Sequence, residues 1–164
     1  MITTGRKIYR IFSVIAVAAI MITIFILSAQ DSEESTETSG FFVELLKFIF
    51  RKDVSHSLVR TAAHFCEYAG LGFFMCNVLY SFKDRLKPVV SALFSWGYAW
   101  TDEIHQIFVD GRAFQLSDLA VDLGGVILGT IVFTMLISLI NKIINLFFKC
   151  RSISGTSSIT RIDL

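Results

Sequence analysis

Proline occurs once in the 164 residues, at Pro88, and cysteine three times, at Cys66, Cys76 and Cys150. So little proline leaves long stretches of chain without a helix breaker. The three cysteines have neither disulfide-framework nor zinc-ligand spacing, so each reads as a small apolar side chain. Charge is scarce and balanced, with 15 Lys and Arg against 14 Asp and Glu, a net +1. The basic residues stand near the ends of apolar segments rather than along one stripe, which argues against a nucleic-acid surface. Phosphate-cradling loops and nucleophile elbows are absent as well.

What is present is apolar. Hydrophobic residues make up 54% of the chain, 16 of them Phe, and the mean hydropathy is +0.64. That exceeds what a soluble core of this length uses, and it predicts an all-α integral membrane protein. Four segments are long enough to span, at about 11–29, 58–80, 89–108 and 117–140. At 1.5 Å per residue the first reaches about 28 Å, close to a hydrocarbon layer of about 30 Å. A cleaved secretory leader is its competing reading, because Arg6, Lys7 and Arg10 precede the run and "LSA" ends it. The run is longer than an ordinary leader's apolar region, which favours the span.

Loop charges set the expected orientation. Arg6, Lys7 and Arg10 precede the first span, Lys83, Arg85 and Lys87 lie between the second and third, and Lys142, Lys149, Arg151 and Arg161 follow the fourth. Counting Lys and Arg by side puts both termini in the cytoplasm of a four-helix bundle. "QDSEESTETSG" is then a solvated outer loop. "FFVELLKFIF" after it is too short to span and reads as a short amphipathic helix on the outer surface, with packing against the bundle as the alternative. Residues 1–145 form one membrane domain in this reading, and 146–164 a flexible cytoplasmic tail.

The polar residues inside the spans carry the functional question. Arg60, His64 and Glu67 share one helical face, and so do Asp118, Asp122, Gly125 and Gly129. "WTDEIHQIFVDGR" ends the third span with Asp102, Glu103, His105 and Gln106 in a broader arc, and Arg112 just beyond. The topology puts all of these in the outer half of the bilayer, with Glu67, Asp102 and Asp122 roughly 8–13 Å deep. A charge at a helix centre costs about 2.5–3.5 kcal/mol on the insertion scale, so such groups are expected to gather in one wet pocket open to the outside. Gly125 and Gly129 would let another helix approach the aspartate-bearing face.

Glu67, Asp102, Glu103, Asp118 and Asp122 outnumber Arg60 and Arg112. Protonated carboxyls, protonated His64 and His105, or a bound cation would each resolve the excess. Glu67, Asp102, Glu103 and Asp118 are the candidates for acid–base catalysis. Arg60, His64, Gln106, Arg112 and Asp122 are the candidates for ligand binding, the arginines either receiving phosphate in bidentate fashion or simply neutralising acids. His64, Glu67, Asp102 and Asp118 are the candidate ligands if a divalent cation binds. His105, at the edge of the arc, is expected in solvent, and Trp96 and Trp100 against lipid or at the interface.

These residues resemble the VanZ-like family of bacterial membrane proteins, a family associated with teicoplanin resistance. The likeness begins at "FILSAQDSEESTETS", continues through "VRTAAHFCEYAGLGF", and is most specific in "TDEIHQIFVDGRAFQLSDLAVDLGGVILG". By position, the family's polar signature falls on Ser28, Gln30, Arg60, His64, Glu67, Tyr68, Asp102, Glu103, Gln106, Arg112, Asp118 and Asp122. Thr61 stands at the second basic position and Asp110 where the family often has Pro. The first departure weakens phosphate binding there; the second affects a turn. The resemblance implies a multi-pass bacterial cell-membrane protein linked in some members to glycopeptide tolerance, and it supplies no reaction.

Two functions stand side by side. In the first, the outward pocket binds or modulates an envelope lipid or a lipid-linked wall precursor. In the second, the same residues serve a metal- or acid–base-dependent hydrolase or transferase acting on a phospholipid or polyprenyl phosphate. A third reading assigns the polar groups only to locking the helices together. The expected partner is a membrane lipid or lipid-linked envelope intermediate and not nucleic acid; oligomeric state is left open.

Overall fold

The computed structural model describes residues 4–30, 37, 40, 43–44, 55–83 and 85–156, with backbone alone for 150–156. Among these residues there are four helices and no strand: α1 Thr4–Ser28, α2 His56–Lys83, α3 Pro88–Gln106 and α4 Leu116–Thr156. The all-α reading holds. The surface helix expected over 41–50 lies outside the described residues, apart from Val43 and Glu44.

Local chemistry sets the helix boundaries. The Ser55 hydroxyl accepts a hydrogen bond from the Leu58 backbone N–H at 3.2 Å, capping the start of α2. Pro88 opens α3, where its missing N–H costs nothing. Gly111 adopts φ 72° in the turn between α3 and α4, a left-handed conformation that a Cβ disfavours. At the start of α4 the backbone N–H of Gln115 donates to Glu103 Oε2 at 2.9 Å, so a carboxylate from α3 meets the positive end of the α4 dipole.

The chain divides into two compact units, Met1–Phe133 and Thr134–Leu164. In the first unit α1 and α2 run antiparallel. Arg10 Nε donates to Ser81 O at 2.9 Å, and its guanidinium lies 5.1 Å from the centroid of the Phe82 ring. It thereby supplies a donor and a positive charge to the carbonyl-rich end of α2. Beside it Tyr9 Oη donates to Asn77 Oδ1, and Asn77 Nδ2 donates to Ser13 Oγ at 3.1 Å. α3 lies parallel to α1, with Tyr98 Oη donating to Met21 O at 2.7 Å and Gln106 Nε2 to Ser28 Oγ at 3.2 Å.

α2 and α4 run parallel and meet through glycine. A Cβ on Gly72 would lie 2.5 Å from Val126 O, and one on Gly125 would lie 3.0 Å from Ala69 N. At Gly129 it would run into Ala69 O. The helix expected to approach Gly125 and Gly129 is therefore α2, and the backbones are as close as they are because side chains are missing there.

The distribution of polarity is the inverse of a water-soluble bundle. α3 buries Ser91, Ser95, Ala99, Asp102, Glu103 and Gln106, and exposes Val89, Leu93, Phe94 and Ile104. α1 buries Ser13 and Ser28 along with Val17 and Ile24, and exposes Ile8, Phe12, Ile15 and Ile26. Thr4–Ser28 and Leu116–Lys149 are long and apolar enough to cross a membrane. In the second unit the helix exposes Met135, Leu139, Ile143 and Phe147. It continues to Thr156, past residue 146 where the sequence reading begins a flexible tail.

Candidate functional site

α2, α3 and α4 each bring polar side chains to one region of the first unit. α2 supplies Arg60, His64, Glu67 and Tyr68, α3 supplies Asp102, Glu103 and Gln106, α4 supplies Asp118 and Asp122, and the turn before α4 supplies Arg112. Glu103, Gln106, Asp122 and Tyr68 are fully enclosed, Asp102 and His64 nearly so. Arg60, Glu67, Arg112 and Asp118 are half-buried and form the outer part of the site.

Contacts across sequence bind these residues together. His64 Nδ1 and Asp122 Oδ1 stand 3.3 Å apart, an ion-pair separation between α2 and α4. The pair is possible because the glycine contacts bring those two helices together one turn further along. Glu67 lies within electrostatic range of His64, Asp102, Asp122 and Arg112, and Tyr68 within range of Asp102 and Asp122. Glu103 feels Asp118, Asp122 and His64. The three helix faces read from the sequence therefore converge on one site.

Arg112 closes the site from the turn. Its Nε donates to Gln30 O at 3.1 Å, tying the α3–α4 turn to the end of α1. Burial, and next the like charge of Arg60, hold this guanidinium below its ordinary pKa, while Asp102, Asp118 and Glu103 pull the other way. Two arginines thus sit within mutual repulsion at the outer part of an acidic site.

The interior is short of donors. Both carboxylate oxygens of Asp102 and of Asp122, Glu103 Oε1 and Gln106 Oε1 are buried without a hydrogen-bond partner. An orphaned buried acceptor costs about 1–3 kcal/mol, and more when it is charged. Several orphans in one place are therefore an arrangement that folding alone does not favour. Among the described residues, no three His, Cys, Asp or Glu side chains are close enough to hold a metal ion together. His64, Glu67, Asp102 and Asp118 are neighbours rather than a preformed ligand set.

His105 departs from expectation. Its ring stacks on Phe25 with centroids 4.6 Å apart and planes 8° from parallel, and Nε2 is buried. α1 passes beside α3 and covers the face that the sequence reading exposes to solvent. Trp96 and Trp100 meet edge to face at 5.9 Å, Trp100 also approaching Phe114 at 6.1 Å. Spacing alone missed Ser95, fully buried with its hydroxyl unpartnered. The signal was present, since Ser91, Ser95, Ala99, Asp102 and Gln106 recur every three or four residues along one face. Tyr68, carried only by the family resemblance, is likewise one turn from His64 on that helix's polar face.

A family model described as VanZ-LLP1 (VanZ/LLP1) matches residues 12–148. No curated protein and no solved structure matches the chain.

Proposed function

The chain belongs to the VanZ/LLP1 family, and from that membership we propose that it is a four-span bacterial cell-membrane protein whose polar site faces outward. In this reading both termini are cytoplasmic and the site recognises the headgroup of an envelope lipid or lipid-linked wall precursor. By doing so it modulates tolerance of glycopeptides such as teicoplanin. One observation carries the proposal: three helices bring together buried acids that have fewer hydrogen-bond donors than oxygens. Groups so costly to bury are kept in membrane proteins chiefly for function.

The half-buried Arg60, Arg112 and Asp118 lie at the end where α1 and α3 finish and α4 begins, with Glu67 deeper along α2. Under the positive-inside count this is the outer end, level with lipid headgroups. Recognition is favoured over a metal-dependent hydrolase or transferase by spacing, because His64, Glu67, Asp102 and Asp118 do not form a ligand set among the described residues. The test is teicoplanin and vancomycin susceptibility on deletion and on overexpression, with Asp102→Asn as a variant. The proposal expects susceptibility to change with dosage and the variant to lose the effect at normal abundance. Unchanged susceptibility in both directions removes the link to glycopeptides, and a variant that fails only by losing abundance supports helix locking instead.

A further inference from the structure

We infer that the acidic interior of this site takes a protonated primary amine, the ammonium end of an aminophospholipid-type headgroup whose phosphate meets Arg60 and Arg112. The inference deepens the lipid-recognition reading above and rests on it.

Donor and acceptor accounting leads there. The buried, unpartnered acceptors are the two oxygens of Asp102, the two of Asp122, Glu103 Oε1 and Gln106 Oε1. Against them stand His64 Nδ1, Tyr68 Oη and, two turns back along α3 from Asp102, Ser95 Oγ, a single O–H that serves at most one more acceptor. Let His64 complete its bond to Asp122 Oδ1, from which it is now 3.3 Å, and let Tyr68 donate to Asp102. One oxygen of each aspartate, Glu103 Oε1 and Gln106 Oε1 still lack a donor. Protonating one aspartate adds a single O–H and leaves the others wanting.

An ammonium group brings three N–H donors and one positive charge, and it accepts nothing. Its N–H···O⁻ bonds run about 2.7–2.9 Å, so one nitrogen serves oxygens held as much as about 5 Å apart. A hard divalent cation draws its oxygens to about 2.0–2.6 Å, and no three acids or imidazoles here are that close among the described residues. What an ammonium supplies is donors and positive charge together, both of which the buried acceptors lack.

The arginines give the other half of the headgroup. Arg60 lies close enough to Arg112 to disfavour the Arg112 charge, a juxtaposition that an anion between them relieves. Arg112 commits Nε to Gln30 O and keeps its two terminal nitrogens for a further acceptor. Guanidinium pairs hold phosphate oxygens well. With Arg60 and Arg112 half-buried and Asp102, Glu103 and Asp122 enclosed, the site matches a group that carries a phosphate followed by an amine.

The test is native mass spectrometry of the full chain released from detergent with equal amounts of competing lipids. Phosphatidylethanolamine carries the amine and the phosphate, phosphatidylglycerol only the phosphate, and phosphatidylcholine a cation without N–H donors. We expect phosphatidylethanolamine to be retained about tenfold or more over both, as for a charged hydrogen-bonded contact. Asp102→Asn should bring it down to the level of phosphatidylglycerol, whereas Arg60→Gln should weaken both. Displacement by soluble O-phosphoethanolamine, but not by glycerol phosphate, is the same recognition met from a soluble source. Should Asp102→Asn fail to fold, the comparison of the three lipids on the unaltered chain decides by itself. Equal or tighter retention of phosphatidylglycerol or phosphatidylcholine overturns the amine while leaving lipid recognition standing. Retention of none of the three above a helical membrane protein without such a site overturns both.

Discussion

Gly72→Ala is the perturbation that most directly tests the packing on which the site depends. A Cβ at Gly72 would lie 2.5 Å from Val126 O and 3.1 Å from Val126 Cα. Ordinary contact begins near 3.4 Å, so the carbonyl stands about 0.9 Å too close. The obstacle is backbone inside a helix, and no rotamer change removes it. α2 and α4 must separate, at a cost of about 1–3 kcal/mol for overpacking, against which the gain in helix propensity returns up to about 1 kcal/mol. Separation also stretches the His64–Asp122 pair from 3.3 Å to about 4 Å, the outer limit of an ion pair. Because the obstacle is backbone, the cost falls in the upper part of that range and the net loss is about 1–2 kcal/mol; for a chain of this size 1 kcal/mol moves the melting temperature about 2–4 °C, so a drop of about 2–8 °C is expected. Cys76 is buried and Cys66 exposed. With Cys66 and Cys150 replaced by Ser, a thiol-reactive fluorogenic dye therefore reports unfolding through Cys76. Gly97→Ala is the control, since a Cβ there meets nothing within 4 Å; it should leave stability unchanged or raise it by up to about 1 kcal/mol. If the two variants melt together, the close approach of α2 and α4 is refuted, and with it the geometry of the site.

Three further outcomes follow from the same structure. Arg10→Gln removes the donor to Ser81 O and the charge over Phe82, and should cost about 1–2 kcal/mol in the same thermal assay; Arg10→Lys should recover only part of it. A double-mutant cycle of His64→Ala and Asp122→Asn should give a coupling of about 0.5–3 kcal/mol, and additive losses would deny the α2–α4 pair an energetic role. Leu93→Asp, at a position 61% exposed, should cost about 2.5–3.5 kcal/mol if lipid covers that face, seen as lost abundance in the membrane fraction. A water-covered face would tolerate it within about 0.5 kcal/mol, and normal abundance would sink the membrane reading of α3.

Much of this was legible in the chain before any coordinates. Scarce proline and runs of Ile, Phe and Leu announce helices, and the spacing of His64 with Glu67, and of Asp118 with Asp122, assigns each to a face. The Gly125–Gly129 pair announces a close neighbour without saying which helix it is. Other features were not legible. Asp118 and Asp122 are equivalent in spacing, yet one is half-buried and the other fully enclosed. His105 looks solvated from its place at a helix end until Phe25 of α1 covers it. Gln30, next to a polar loop, turns out to anchor Arg112 through its carbonyl.

The division has a physical cause. Helix formation and amphipathic periodicity are local, set by hydrogen bonds four residues apart and by side chains within a turn of each other. The sequence by itself therefore determined where the helices run, which faces carry acids and arginines, and to which family the chain is similar. Which of those acids lose water without gaining a partner is not local. It depends on α2 and α4 closing at Gly72, Gly125 and Gly129 and on α1 covering the end of α3, contacts between residues dozens of positions apart. Only the tertiary structure decided that Asp102, Glu103 and Asp122 are enclosed with too few donors for their oxygens, because burial belongs to the assembled helices and not to any one of them.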